Sequence, residues 1–400
     1  MSGMVIFLFF FAICLISYPQ HIVEASRNGL NMWLEVVFPS LLPFFITAEL
    51  FIAFGIVHFF GILLEPLMRP LFNVPGCGGF VWAMGLASGF PSGAKFTAEL
   101  RKKNKLTKEE AERLVSFTNS SNPLFICGAV AVGFFHNAEL GILLAIVHYL
   151  SNLIVGLCMR FYKINARPTE PMRYSYSLSG AFQELLKEQQ SDTRPFGKKL
   201  GDAVTRSIQT LLMIGGFIIL FSVLYEVLHL TNMIDVLALL PGLLLSTFHY
   251  PAELAWPWVS GLFEITVGSK LVADLNTDLF EQAVIVGFIL GFSGFSVHAQ
   301  VASLLAETDI RFTPFFFARI LHGCLAVVLT FLLWKPLYAA RTEMPAFQQN
   351  EELIHLSEKF LLTSLELFKT FGPFFTISCF LLYACFSCYF YFKNKKARFN

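Results

Sequence analysis

The 400 residues are 55% hydrophobic and only 14% charged, with 46 phenylalanines and a mean hydropathy of +0.62. Soluble domains carry roughly a quarter charged residues, so the composition excludes an ordinary soluble enzyme and requires lipid. The net charge of +1 comes with no basic arm or aromatic-basic patch, which argues against nucleic acid as a partner.

In chain order, the first apolar run, Met4 to Tyr18, lacks a basic leader, and Val23-Glu24-Ala25 is a poor cleavage site. It reads as a retained transmembrane helix, with an outside loop completing residues 1–32. Further spans fall near 33–54, 112–135, 139–160, 204–229, 281–305, 313–338 and 370–392, each close to the roughly 20 residues that cross a bilayer. Ile56 to Phe72 and Met233 to Phe248 are shorter, and Gly/Pro-broken stretches follow them at 76–98 and 256–273. Cys127, Cys158, Cys324 and Cys379 sit inside apolar runs, where a thiol packs as a small hydrophobe. Cys385 and Cys388 lie in the closing apolar run without partner Cys or His pairs, and packing is their expected role.

Positive charge orients the array. Arg101, Lys102, Lys103, Lys105, Lys108 and Arg113 cluster before the span at 112–135; the polar loop 161–203 is also basic, as is the tail from Lys393 to Arg398. These segments are expected to be cytoplasmic. Asp274, Asp278 and Glu281 without a base, and the mostly acidic segment Arg341 to Glu358, are expected outside. On that count, a hairpin at 76–98 enters from the cytoplasm and one at 256–273 from the opposite side. The loop 161–203 has helix-forming residues around Ala181 to Gln189 but also Pro168, Pro171 and Pro195, and is not expected to form a domain.

The two halves repeat. Trp82-Ala83-Met84-Gly85-Leu86 with Gly93-Ala94-Lys95 echoes Trp258-Val259-Ser260-Gly261-Leu262 with Gly268-Ser269-Lys270. A charged turn follows each, then an apolar helix with a polar interruption: Asn119-Ser120-Ser121-Asn122-Pro123 in the first, Gly291-Phe292-Ser293-Gly294-Phe295-Ser296 in the second. The expected fold is an all-α polytopic membrane bundle of two inverted repeats, 33–160 and 204–338. Each contributes a re-entrant hairpin and a broken transmembrane helix, and residues 339–400 add an outside segment, a last helix and the tail. Interrupted segments at matching positions of two halves are the best pointer to a midplane binding site.

The reason lies in the backbone: an unpaired N–H or C=O in hydrocarbon costs several kcal/mol, so irregular chain must face protein or a watery cavity. The candidate solute-binding residues are therefore Gly89, Ser92, Gly93 and Lys95 of the first hairpin, Asn119, Ser120, Ser121 and Asn122 of the first break, Glu264, Thr266 and Ser269 of the second hairpin, and Ser293 and Ser296 of the second break. His298 and Gln300 are candidates for coupling. Other roles stand beside these: Lys95 can snorkel to headgroups, His298 can make a structural hydrogen bond, and Asn119 and Asn122 can join helices.

At these motifs the chain resembles the nucleoside recognition, or gate, family of membrane proteins. Gly291 to Ser296 is similar to the broken helix of concentrative nucleoside transporters, and Gly261-Leu262-Phe263-Glu264 to their second hairpin, where an acidic residue helps hold the ligand. Gly89 to Lys95 together with Glu112 to Phe125 resembles more closely a family of integral membrane proteins of endospore formation, over residues 33 to 338. That resemblance implies a role in building the spore cortex, in the cell membrane of a spore former. The first hairpin, Gly-Phe-Pro-Ser-Gly, departs from the Gln/Thr/Glu cluster that nucleoside transporters place on base and cation. The expected function is to bind or move a small polar solute, such as a nucleoside or related metabolite; the alternative is a non-transporting scaffold. No zinc motif, P-loop or nucleophile elbow points to an enzyme. No cofactor is implied, and the expected partners are membrane lipids, the solute and a second copy of the chain.

Overall fold

The computed structural model describes residues 2–169, 180–182, 185–186, 189 and 192–339. The expected span at 370–392, the acidic segment 341–358, Cys379, Cys385, Cys388 and the basic tail lie outside the described residues. Met1–Tyr338 forms one compact unit, and every regular element described in it is helical.

The N-terminus differs from expectation. After α1 (Ser2–Ser17) the chain bends by 101° into α2 (Pro19–Met32), where an outside loop was expected. Pro19 opens α2 at a position where a missing N–H does no harm. The helix buries Ala25 and Gly29, and a Cβ built on Gly29 would stand 2.8 Å from Ser222 Oγ. Hydropathy alone missed it because its apolar residues are interspersed with Gln20, His21, Glu24, Arg27, Asn28 and Asn31.

The first repeat runs through α3 (Phe38–Ala53), α4 (Ile56–Phe72), a hairpin of α5 (Cys77–Ser88) and α6 (Ser92–Lys102), then α7 (Lys108–Thr118), α8 (Leu124–Phe134, wound as a π-helix) and α9 (Ala138–Met159). The second runs through α10 (Phe196–Leu230), α11 (Met233–Thr247), a hairpin of α12 (Ala255–Phe263) and α13 (Ile265–Ala273), then α14 (Leu279–Phe292), α15 (Gly294–Leu305) and α16 (Phe312–Trp334). The order of two helices, hairpin, broken helix and unbroken helix thus occurs twice. Among the described residues, four helices are long and apolar enough to cross a membrane, or up to six when each bent pair counts as one span. The expected span at 112–135 is not a continuous helix: α7 starts at Lys108 with a charged first turn, and α8 has 11 residues.

Packing between the repeats is reciprocal. α6 packs on α15 and α13 on α8, while α7 packs on α16 and α14 on α9. Ion pairs gather at one end: Arg101 is bidentate on Asp309 at 2.8 and 2.9 Å, Lys102 meets Glu307, and Arg311 Nε donates to Glu112 at 2.8 Å. Hydrogen bonding to Arg101 holds the Asp309 carboxyl below the usual aspartate range. Beside them a Thr107/Glu110 capping box opens α7, and the buried Arg113 donates to the carbonyls of Asn73, Tyr162 and Lys163. At the far end Asn137 Nδ2 donates to Tyr338 Oη at 2.5 Å.

Candidate functional site

The first break begins where Asn119 leaves helical geometry (φ −90°, ψ 87°) after α7. Pro123 restrains the residue before it, and α8 restarts on a side-chain cap: Phe125 N–H donates to Asn122 Oδ1 at 2.7 Å. Asn122 Nδ2 also donates to the Ser88 carbonyl at 3.0 Å, fastening the break to the hairpin tip. Gly93 presses into the same place. A Cβ built on it would stand 2.3 Å from the Thr118 carbonyl oxygen and 2.7 Å from Asn119 N, so no larger residue fits without moving backbone.

Other helices serve the remaining backbone groups. Ser121 N–H donates to His148 Nε2 at 3.1 Å, Tyr149 Oη to the Ser121 carbonyl at 3.0 Å, and Asn152 Nδ2 to the Phe117 carbonyl at 2.5 Å. The largest contribution comes from Arg319 of α16, which is fully buried. Its guanidinium donates to the Asn119 carbonyl (3.0 Å), the Ser116 carbonyl and Asn152 Oδ1 (3.0 Å), and meets His322 Nδ1 at 2.9 Å. The charge therefore faces the C-terminal end of α7, where freed carbonyls carry partial negative charge. No carboxylate among the described residues lies within ion-pair reach of it.

At the first break and on the residues that hold it, a set of buried polar atoms has no hydrogen-bond partner among the described residues: both amide atoms of Asn119, the hydroxyls of Ser88, Ser120 and Ser121, His148 Nδ1 and Arg319 Nε. Buried polar groups are normally satisfied, and such a concentration of exceptions requires a physical explanation. Gly89, Gly93 and Asn119 to Asn122 are thus brought together as the sequence pattern suggests. Ser92 is buried beside them with its hydroxyl given to the Gly89 carbonyl. Lys95 points elsewhere: its ammonium sits 2.8 Å from Glu49 Oε1 and over the Phe45 ring, instead of snorkelling to an interface.

The second break is a single turn. Ser293 (φ +71°) and Gly294 (φ +65°) interrupt the helix between α14 and α15, which still run on as one candidate span, Leu279–Leu305. The freed Phe292 carbonyl is taken by Ser293 Oγ at 2.5 Å and His298 Nε2 at 2.8 Å. His298 is ringed by Phe292, Phe295, Phe312, Phe315 and Phe316, with centroid distances of 4.6 to 6.1 Å. Glu264 lies at the tip of the second hairpin, but its carboxylate caps α13 by accepting from Val267 N–H at 2.8 Å. Thr266 adds a further hydrogen bond to that carboxylate. Ser269, Ser296 and Gln300 are buried, and Ser269 Oγ has no hydrogen-bond partner among the described residues.

α16 lies between the two breaks. Arg319 and His322 face the first, with the His148 and His322 rings 4.7 Å apart, while a Cβ on Gly291 would stand 2.8 Å from Gly323 Cα. The sequence reading missed Arg319, His322, His148 and Asn152 because 139–160 and 313–338 read as plain spans. The available signal was an arginine in the middle of an apolar helix, which marks a functional site by default.

Two hairpins pressed on two broken helices, joined by apolar helices long enough to cross a bilayer, define a multi-pass integral membrane protein of the gate type. A family model described as nucleoside recognition, the gate domain, matches residues 34–141. The chain is 58% identical over 340 residues to the Sporulation integral membrane protein YlbJ of Bacillus subtilis (strain 168), covering 84% of this chain and 83% of that one. It belongs to the YlbJ family of sporulation integral membrane proteins. No solved structure matches it.

Proposed function

We propose that the chain is a transporter-like protein of spore cortex formation whose first break binds a small polar solute carrying negative charge. The observation that carries this reading is Arg319, a fully buried guanidinium bonded to a break whose side chains include hydrogen-bonding atoms that have no partner among the described residues. A charged side chain at the centre of a membrane helix costs about 2.5 to 3.5 kcal/mol on insertion scales, and an anion at Asn119 to Ser121 both balances the charge and fills those donors. A neutral nucleoside would use the amide and hydroxyls but leave the charge unbalanced. The repeats are read as inverted, with the ion-paired end of 101–112 and 306–311 cytoplasmic by its positive charge and the two hairpins entering from opposite faces.

A scaffold without transport is the second reading. It is favoured by Arg319 and Glu264 already being engaged in closing helix ends. Thermal unfolding of the purified protein with inorganic phosphate, mono- and dicarboxylates and nucleosides separates the two, because a ligand at a hundred times its Kd adds about 2.7 kcal/mol. Stabilisation by an anion is expected, lost in Asn119→Ala and Ser121→Ala at unchanged membrane abundance. Stabilisation by nucleosides and no anion, or by nothing, overturns the anion site.

A further inference from the structure

A second set of ionisable groups lies apart from the first break, where α3, α6 and α10 meet. Glu49 of α3 and Lys95 of α6 are each 4% exposed, and Glu49 Oε1 lies 2.8 Å from Lys95 Nζ. One turn further along α6, Glu99 is within hydrogen-bonding reach of Glu49, and its Oε2 is closed off from solvent without a hydrogen-bond partner among the described residues. Arg206 of α10, half-exposed, stands 3.9 Å from Glu49 Oε2, and Lys103 acts on Glu99 from the turn after α6. The other helices packed on α6 use their charges elsewhere. Those of α7 go to Arg69, Arg311, Lys163, loop carbonyls and, from Lys108, Asp309, His298 of α15 bonds the Phe292 carbonyl, and α5 contains no Asp, Glu, Lys, Arg or His.

Two carboxylates within hydrogen-bonding reach repel each other when both are ionised, and neither can donate. Lys95 is committed to Glu49, so the contact is satisfied when one carboxyl carries a proton that the other accepts. The position suits exchange. Arg101 and Lys102 of the same helix reach the ion-paired end of the bundle, while Ser92 and Gly93, less than one turn before Lys95, form the hairpin tip that presses on the first break. Intramembrane carboxylates so placed mark proton relays.

We propose that Glu49 and Glu99 share one exchangeable proton and form the proton-binding site of the protein, with Lys95 holding the pair to the first hairpin. In the exchange step the O–H bond of one carboxyl breaks, the proton passes to water at the ion-paired end as hydronium, and Lys95 holds the charge left on the pair. The proposal rests on the transport reading for its purpose, but its test does not depend on transport.

Infrared difference spectroscopy of the purified protein in lipid, titrated across pH, reads the carbonyl stretch of a protonated buried carboxyl directly. The wild type should show that band at neutral pH and lose it as pH rises. Glu99→Gln leaves the Glu49–Lys95 ion pair in place and should remove the band, as should Glu49→Gln if it folds. Anion-dependent thermal stabilisation measured on the same samples reports the first break separately. A wild type without the band, or a band that survives Glu99→Gln and Glu49→Gln, overturns the proton site whatever the solute results are.

Discussion

The two breaks occupy the same place in the two repeats, yet they are built from opposite chemistry. The first spans Asn119 to Pro123 and draws in Arg319, Asn152, His148 and Tyr149 from other helices. The second spans Ser293 and Gly294, closes on its own carbonyl through His298, and is walled by five phenylalanines. An interruption in a membrane helix needs its freed backbone groups satisfied, and this can be done with side chains or by a tight turn. Among the described residues the first solution leaves a whole set of polar atoms over, the second only His298 Nδ1. Repetition of architecture therefore does not imply repetition of function, and the polar surplus at the first break is what supports the proposed solute binding there.

The comparison is broken most directly at Arg319. Arg319→Leu strands the Ser116 and Asn119 carbonyls and Asn152 Oδ1 in the bundle, each worth about 1 to 3 kcal/mol when left unsatisfied, and a total loss of about 3 to 5 kcal/mol is expected. His298→Phe at the second break keeps the ring packing and removes one hydrogen bond, for about 1 kcal/mol. Thermal unfolding of the two purified variants measures the difference. Equal losses would mean that the two breaks are structurally equivalent after all.

Glycines sharpen the contrast with a smaller effect. Gly93→Ala forces a methyl to 2.3 Å from the Thr118 carbonyl oxygen, overpacking that costs about 1 to 3 kcal/mol and pushes the hairpin off the first break. At Gly294 the nearest atom to an added Cβ is 3.3 Å away, so the space nearly suffices and the penalty is the left-handed backbone, about 1 to 2 kcal/mol. Anion-dependent stabilisation should be lost in Gly93→Ala and retained in Gly294→Ala. The reverse result would move the site to the second break.

Much of this was readable from the chain. The unbroken helices, both hairpins and both interruptions fall where apolar runs, Gly/Pro clusters and the Trp-x-x-Gly-Leu repeat put them, because a membrane penalises every polar deviation strongly enough to leave a mark in composition. What the sequence could not supply was pairing. Lys95 stands beside a hairpin tip in sequence and reads as a ligand contact, but Glu49, 46 positions earlier, claims it. Arg319 follows Asn119 by 200 positions, and no local pattern joins them. α2 was missed for a related reason: it buries only two small residues, which hydropathy cannot distinguish from a loop.

Glu264 provides the finest test. Its sequence context, the tip of the second hairpin in a motif similar to one that holds a ligand in nucleoside transporters, suggests a binding carboxylate. Its geometry is that of a helix cap, accepting from Val267 N–H at 2.8 Å. A glutamine oxygen accepts the same bond, so Glu264→Gln should change stability by no more than about 0.5 kcal/mol, while Glu264→Ala should lose about 1 kcal/mol, the usual value of an N-cap. Both variants should keep anion-dependent stabilisation and give heat-resistant spores, since the charge is not needed at a site that works through Arg319. If Glu264→Gln unfolds like the wild type yet fails in spore formation, the carboxylate is needed as a charge. The second hairpin would then meet the solute or its coupling ion, and the asymmetry drawn between the breaks would hold for their packing but not for their function.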